Sequence, residues 1–439
     1  MQSGSISRRK VDDLENVVRD VACTVCGCVC DDLIVTTAAG RIVRAEGACA
    51  LAEPWFHAQG DQQPSVCCLN GEAANVDSAV GTAAAILSDA SNPLIYGLSR
   101  SSTSGQRAAV ALGDRLGAIV DTTASRCHAP SIMALQQVGE STCSLGEVRQ
   151  RSDVVVYWGA NPLRSHPRHL ERYAGEPKGT CVPRGREDRH IVVVDPNVTE
   201  TAAIADTHLQ VAPGRDFELL WDLRARLAGL PADASATHGV PAETVDAFAE
   251  RIRNARYGIV FFGLGLTRQQ NGHRDVEALL QMVRDAHRHT RWSARRMRIP
   301  GDVAGADSVL CWQTGFPFSV DFSRGYPRYN PGEFSANELL ERGDVDACLL
   351  LGCDGIGQFS DAAMARLETI PTIVFDDATV ETSWVPDVRF TTAAYGIHLP
   401  GTAYRMDEVP IPLRPVLETE YPSDEEILQQ IDARLTVRR

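Results

Sequence analysis

Apolar and polar positions change period along this chain. From Leu33 to Glu46 the runs LIVTTA and RIVRAE alternate around Ala38-Ala39-Gly40, which predicts two short strands and a turn. Beyond Cys68 the apolar positions recur every three or four residues. That spacing predicts helices over 76–90, 104–116 and 131–140, and in DFELLWDLRARLAGL and ETVDAFAERIRNA. Between them stand unbroken apolar runs: PLIYGL, AIVDTT, VVVYWG, HIVVVD, YGIVFFGLG, ACLLLGCDG and TIVFDD. Strands buried on both faces of a parallel sheet have this composition. A long helix through His287 follows YGIVFFGLG. Strand and helix alternate, so the class is α/β and mostly parallel, and the strands are too many for one doubly wound sheet. ASRCHAP reads as a loop, 175–189 as a mobile surface insertion, and the tail after Pro410 as peripheral.

Composition narrows the partners. The 439 residues carry a net charge of -14, which argues against a general nucleic-acid binder and against an anionic membrane surface. A local basic pocket for an anionic ligand stays compatible with that total. No apolar run approaches the roughly 18–20 residues that cross a bilayer. Arg8-Arg9 is followed by Asp12, Asp13 and Glu15 instead of an apolar stretch, so no export signal is read and a cytoplasmic location is expected. In that compartment thiols stay reduced, and thirteen cysteines are not a disulfide framework.

The cysteines then call for chemistry. VACTVCGCVCDDL places Cys23, Cys26 and Cys30 as C-x2-C-x3-C with Cys28 inside, and the hairpin leads back to Cys49. Four thiolates converging from a loop and a hairpin suit a [4Fe–4S] cluster, with Cys28 the spare. Zinc favours two separated C-x2-C pairs and fits the x3 gap poorly. Buried free thiols are the third reading. The expected fold is a small N-terminal iron–sulfur domain with a β-hairpin, plus two doubly wound, mostly parallel α/β domains. Its expected parts are an extension at 1–20, the cluster domain at 21–68, a discontinuous first α/β domain at 69–140 with 305–400, a second at 141–304, and an extension at 401–439.

Ligands of open α/β sheets bind beyond the carboxyl ends of strands. The turns there are Gly159-Ala160-Asn161-Pro162, Asp195-Pro196-Asn197, Gly263-Leu264-Gly265, Gly352-Cys353-Asp354-Gly355 and Asp376-Asp377. Glycine lets a backbone approach phosphate, and carboxylates hold ribose or guanine-type donors. Alone, each is ordinarily a turn. Together they point to one large nucleotide-bearing ligand, or two.

A cysteine ring followed by paired α/β domains with such turns resembles the molybdopterin/tungstopterin oxidoreductases. DVVVYWGANPLRSHPRH, VVVDPNVTETAAIADTHLQVAPGRDFELL, GIVFFGLGLT and GIHLPGTAYRMD carry that likeness. CTVCGCVCDDL, SRCHAPSIMALQQVG, WQTGFPFSVDFSRGYPRYNPGE and GTAYRMDEVPIPLR are similar to the B-subunit family of formylmethanofuran dehydrogenases in particular. The resemblance runs from about Val21 to about Pro415. It implies that Cys23, Cys26, Cys30 and Cys49 hold a [4Fe–4S] cluster and that Cys127 binds molybdenum or tungsten. His128 would manage a proton, and Arg296 or Arg298 would hold a small anion. Two molybdopterin or tungstopterin guanine dinucleotides would meet Gly159, Asn161, Asp195, Gly214, Asp216, Gly263, Gly265, Gly352 and Asp354, with Arg164, Arg168 and Arg215 on phosphates. His166 and His169 read as structural.

The implied activity is interconversion of carbon dioxide and formate. An amidohydrolase-like subunit would handle the formyl carrier, and a β-barrel subunit would close over the pterins. The alternative is a non-redox structural subunit of a formyltransferase/hydrolase complex. Ala50 departs from the basic residue that often follows the fourth cysteine in larger relatives.

Overall fold

Winding direction reverses in each of two large sheets, and both reversals face the same region. The computed structural model describes residues 15–61, 63–231, 237–299, 301–353 and 355–436. A five-stranded, wholly parallel sheet takes its strands in the spatial order Thr207–Leu209, His190–Val194, Val154–Trp158, Tyr257–Phe262 and Arg291–Arg296. The chain winds outward one way from Val154–Trp158 and the other way from Tyr257–Phe262. These neighbours, in register from Gly258↔Val154 to Phe262↔Trp158, form its switch point.

Every residue of both strands is buried, as their unbroken apolar runs require. Alternation divides them between two cores. Val154, Val156, Trp158, Val260 and Phe262 face the helices Asp216–Leu227, Ala242–Asn254 and Gly272–Ala286. Val155, Tyr157, Ile259 and Phe261 face the other way, into a core shared with Cys23, Cys26, Cys28 and Cys30. Each such side chain contributes about 1.5–3 kcal/mol on burial. The cysteine loop is thereby seated on one face of the five-stranded sheet.

The second sheet has nine strands. Its centre is parallel, in the order Ile119–Thr122, Pro93–Gly97, Ala347–Leu351, Thr372–Asp376 and Val388–Thr391. Short antiparallel strands extend both edges. The switch point lies between Pro93–Gly97 and Ala347–Leu351. Helices Val76–Asp89 and Thr103–Leu116 cover one face, and Ala336–Arg342 and Asp361–Leu367 the other. The chain is thus a mixed α/β protein with parallel sheets, and the predicted central strands occur where the apolar runs stand.

Three local expectations change. ASRCHAP is no loop: Ala124–Cys127 is a helical turn that leads into the helix Ala129–Val138. Arg291–Arg296 is an edge strand of the parallel sheet, with Arg295 and Arg296 buried. The 175–189 segment is pinned and not mobile: buried Arg189 donates to the carbonyls of Gly175, Pro177 and Arg149. The tail is not peripheral either, since the helix Asp424–Arg434 buries Ile427, Leu428 and Ile431 in the nine-stranded core. A strand that alternation did not reveal, Asn16–Val21, pairs antiparallel with Leu33–Ala38 and makes the hairpin three-stranded.

Candidate active site

Cys23, Cys26, Cys28, Cys30 and Cys49 line one small gap, with Leu33, Ala52 and Arg168. The loop closes on itself: Cys23 N donates to Cys30 O at 2.8 Å, and Val29 N to Cys26 O at 3.1 Å. Val29 takes φ 36°, a conformation unfavourable for a β-branched residue, so the fold around the loop imposes its shape. Cys49 arrives from the opposite side. Its carbonyl accepts from Ala52 N and Glu53 N at the start of the helix Ala52–Ala58. Burial pushes the Cys23 and Cys30 thiols up, the latter to about 11. Cys28 is hydrogen-bonded with Cys26. Among the described residues no group of three or more His, Cys, Asp or Glu is arranged to hold a single metal ion.

Next to the ring lies a cleft of about 650 Å³. On the five-stranded side its turns touch backbone to backbone. A Cβ on Gly263 would stand 2.6 Å from Gly159 O, and one on Gly265 would stand 2.8 Å from Gly159 Cα. Gly159 itself takes φ 53°. Only glycine permits this approach at the switch point. On the nine-stranded side, a Cβ on Gly97 would stand 2.4 Å from Leu351 O and 2.9 Å from Gly352 O. Asn161, Arg164 and Gly263 line the cleft from the first sheet, and Arg100 and Gln358 from the second. Val25 and Cys26 of the ring loop complete it with Met297 and Ile299. Both switch points and the ring loop therefore open onto one space.

Cys127 ends the turn after the strand Ile119–Thr122 and is buried. Its carbonyl accepts from Thr267 Oγ1 at 3.0 Å. Burial pushes the thiol up to about 11, Arg298 draws it down, and Asp307 opposes Arg298. Arg298 donates to Asp307 at 2.5 Å, with side chains 4% and 9% exposed. Asp307 also accepts from Thr122 Oγ1 at 2.7 Å, and Arg298 Nε has no hydrogen-bond partner. Cys127 stands one layer behind the cleft lining. Its neighbour Arg126 donates to the Gln358 carbonyl at 3.1 and 2.8 Å, and Arg268 to Gln358 Oε1 at 2.5 Å.

One residue joins the cysteine ring to the chamber, the buried cluster of Thr122, Cys127, Thr267, Arg298 and Asp307. The Arg298 carbonyl accepts from Gly27 N at 3.0 Å, inside the cysteine loop, and from His166 Nε2 at 2.9 Å. His128 Nε2 donates to the Met297 carbonyl at 3.1 Å, with Ser131 Oγ 3.3 Å from Nδ1. Burial, then Arg298 and Arg296, hold this imidazole well below the usual histidine range. It is neutral and props the 297–298 backbone. Arg296 meets Glu140 and Glu408 at 3.3 and 3.4 Å.

The remaining expected residues are mostly committed internally. Asn161 accepts from Thr201 Oγ1 at 2.7 Å and donates to Glu200 at 2.5 Å, so it braces its turn. Asp195 accepts from Asn197 N at 2.8 Å. Asp216 accepts from Trp158 Nε1 at 2.7 Å and Gln269 Nε2 at 2.5 Å. Gly214 borders a separate groove with Arg215, Gln269 and Asp275. Asp354 lies outside the described residues. Arg168 is not available to phosphate, being paired with Asp32 and Glu171, and Arg215 is paired with Glu218. Arg164 lines the cleft. His166 and His169 are buried supports: burial lowers them to about 4 and about 3. Sequence reasoning missed Asp307, Thr267, Arg100 and Gln358. A lone aspartate in the apolar run VAGADSVL was a usable signal for the first; the others carried none.

The molybdopterin oxidoreductase family model matches residues 95–296. The chain is 40% identical to the B subunit of the tungsten-containing formylmethanofuran dehydrogenase 2 of Methanocaldococcus jannaschii, over 92% of this chain and 94% of that protein. Its identity to the Methanococcus maripaludis protein of the same name is 38%, over 94% and 98%. In fold it is similar to a chain of the formyltransferase/hydrolase complex of Methylorubrum extorquens in complex with methylofuran. The TM-score there is 0.70 at 24% identity, covering 84% of this chain and 98% of that one.

Proposed function

The chain belongs to the B-subunit family of formylmethanofuran dehydrogenases, within the molybdopterin oxidoreductases, and on that premise we propose that it is the redox subunit that interconverts carbon dioxide and formate. Its centre would be tungsten or molybdenum held by two pterin guanine dinucleotides, with a [4Fe–4S] cluster passing electrons. One observation carries the reading: the Arg298 carbonyl binds Gly27 of the cysteine loop while its side chain flanks Cys127. Ring, cleft and chamber are joined by a single residue.

The residues fit the groups. Five cysteines around one gap supply the four thiolates that a cube needs, one for each iron, and Cys23, Cys26, Cys30 and Cys49 would hold it. The glycine turns Gly159, Gly263, Gly265 and Gly352 give backbone access at both switch points, and Cys127 is the buried thiol for the metal. When bound, the metal and its dithiolenes supply the two-electron chemistry. Arg298, buried and with Nε unpartnered, would hold the small carboxylate. Asp307 fixes the guanidinium. Neutral His128 keeps the Met297 carbonyl in place, a positioning role instead of proton transfer. Met297 and Ile299 place apolar side chains on the cleft wall. Arg296, engaged by two glutamates, is structural. An amidohydrolase-like subunit for the formyl carrier, a β-barrel subunit over the pterins and a cytoplasmic location belong to the same reading.

The test is iron, tungsten and molybdenum analysis of the complex purified without oxygen, with a viologen-linked formate assay. Iron plus tungsten or molybdenum, with formate oxidation, is expected. Iron with neither metal and no oxidation would instead favour the non-redox subunit of a formyltransferase/hydrolase complex.

A further inference from the structure

We propose that Arg168 and Arg172 set the reduction potential of the cluster in the Cys23–Cys49 ring by holding two guanidinium charges against Cys30; the proposal rests on the cluster reading above. The arginines flank and enter the π-helical turn Leu170–Ala174, which aims both at the cysteine loop. Arg168 lines the cysteine gap, and Arg172 lies against the Cys30 thiol. Asp31 and Asp32, the two residues after Cys30, orient them. Arg168 grips Asp32 with both terminal nitrogens at 2.7 and 2.9 Å, and Arg172 reaches Asp32 at 2.8 Å and Asp31 at 2.6 Å.

Exposure decides which charge the ring feels. The Arg168 and Arg172 side chains are 12% and 15% exposed, against 44% for Asp32, 42% for Asp31 and 58% for Glu171, which also pairs with Arg168. Water screens the outer carboxylates more strongly than the inner guanidiniums, so the net field at the ring is positive. One-electron reduction adds one negative charge to the ring, and the mediator dye of a titration supplies that electron. A buried cation stabilises the added charge and raises the potential. The same contacts also tie the loop to the 162–174 segment. A purely structural tie would weaken in the same way whichever partner is removed, whereas a field changes sign with the charge deleted.

The experiment is a mediated redox titration, followed by electron paramagnetic resonance, on the intact complex purified without oxygen. Iron per complex is measured alongside. Arg172→Gln should lower the midpoint enough to raise the oxidised-to-reduced ratio about tenfold at a fixed potential, ~59 mV for a one-electron couple. Arg172→Lys should restore most of that change, and Asp32→Asn should move the midpoint the opposite way. Shifts of one sign in Arg172→Gln and Asp32→Asn, or no shift in either, would overturn the proposal. Should Arg172→Gln lose iron, the sign for Asp32→Asn decides alone: upward supports the field, downward or unmoved refutes it. Iron missing from the unmodified complex would overturn the cluster reading and this proposal together. Iron present with unmoved midpoints would overturn this proposal only.

Discussion

The cysteine ring and the Cys127 chamber gather their chemistry in opposite ways. The ring is local: one loop and one hairpin bring five thiols to a single gap, and its charges stand at the water boundary. The chamber is assembled from afar. Thr122, Cys127, Thr267, Arg298 and Asp307 come from different strands and helices, and its one ion pair is buried. The difference teaches where function is encoded. A local site is written in spacing, while a distant one is written in the order of strands in a sheet.

The largest effect tests whether the two regions are separable. Cys127→Ala should reduce viologen-linked formate oxidation to background while leaving iron content unchanged and formyl hydrolysis by the proposed amidohydrolase-like subunit intact. Cys26→Ala should instead lose iron. Retained formate oxidation in Cys127→Ala would dissolve the division.

The same contrast explains what could be read in advance. Cys23, Cys26, Cys30 and Cys49 follow from short spacings, and the central strands from apolar runs such as VVVYW and ACLLL, because burial on both faces leaves no room for polar positions. Cys127 and the arginine segment rested on resemblance. Nothing in the spacing of the arginines tells Arg296, held by Glu140 and Glu408, from Arg298 beside Cys127. That distinction needs the edge strand Arg291–Arg296 to end where it does. The pinning of the 175–189 segment escapes sequence reading for a related reason: the carbonyls that accept from Arg189 include one from Arg149, far away in the chain.

The next effect compares ion pairs. Asp307→Asn leaves the Arg298 charge buried without a counter-charge, which should cost about 3–5 kcal/mol of stability. Asp32→Asn, at the ring network whose carboxylate side reaches water, should cost less, about 1 kcal/mol. Denaturant unfolding of the complex measures both, and equal losses would erase the contrast. In the formate assay Asp307→Asn should also raise KM, because Arg298, the guanidinium proposed to hold the carboxylate, loses its anchor.

A smaller effect concerns the joint between the regions. His166 is neutral when folded, its pKa lowered to about 4 by burial. An unfolded histidine takes up a proton below about 6.5. The stability it supports is therefore complete above pH ~6.5 and is lost as pH falls toward ~4, by on the order of 3 kcal/mol. His166→Gln should flatten that part of the profile when unfolding is followed from pH 7.5 to 5. An unchanged slope would show that the joint does not feel the proton.

The smallest effect probes the contact where ring and chamber meet. A Cβ on Gly27 would stand 2.5 Å from Arg298 O and 3.2 Å from Met406 Cβ. Its backbone is not in the left-handed region, so crowding alone penalises Gly27→Ala, at about 1–3 kcal/mol. The Arg298 carbonyl is held on its other side by His166, and its side chain by Asp307. The ring loop has no such second hold at Gly27 beyond its link to Met406. The loop should yield first: iron retention falls during oxygen-free gel filtration, while tungsten or molybdenum content stays. Loss of both metals together would mean that the chamber and the ring move as one body, and the division drawn between them would fail at the residue where they touch.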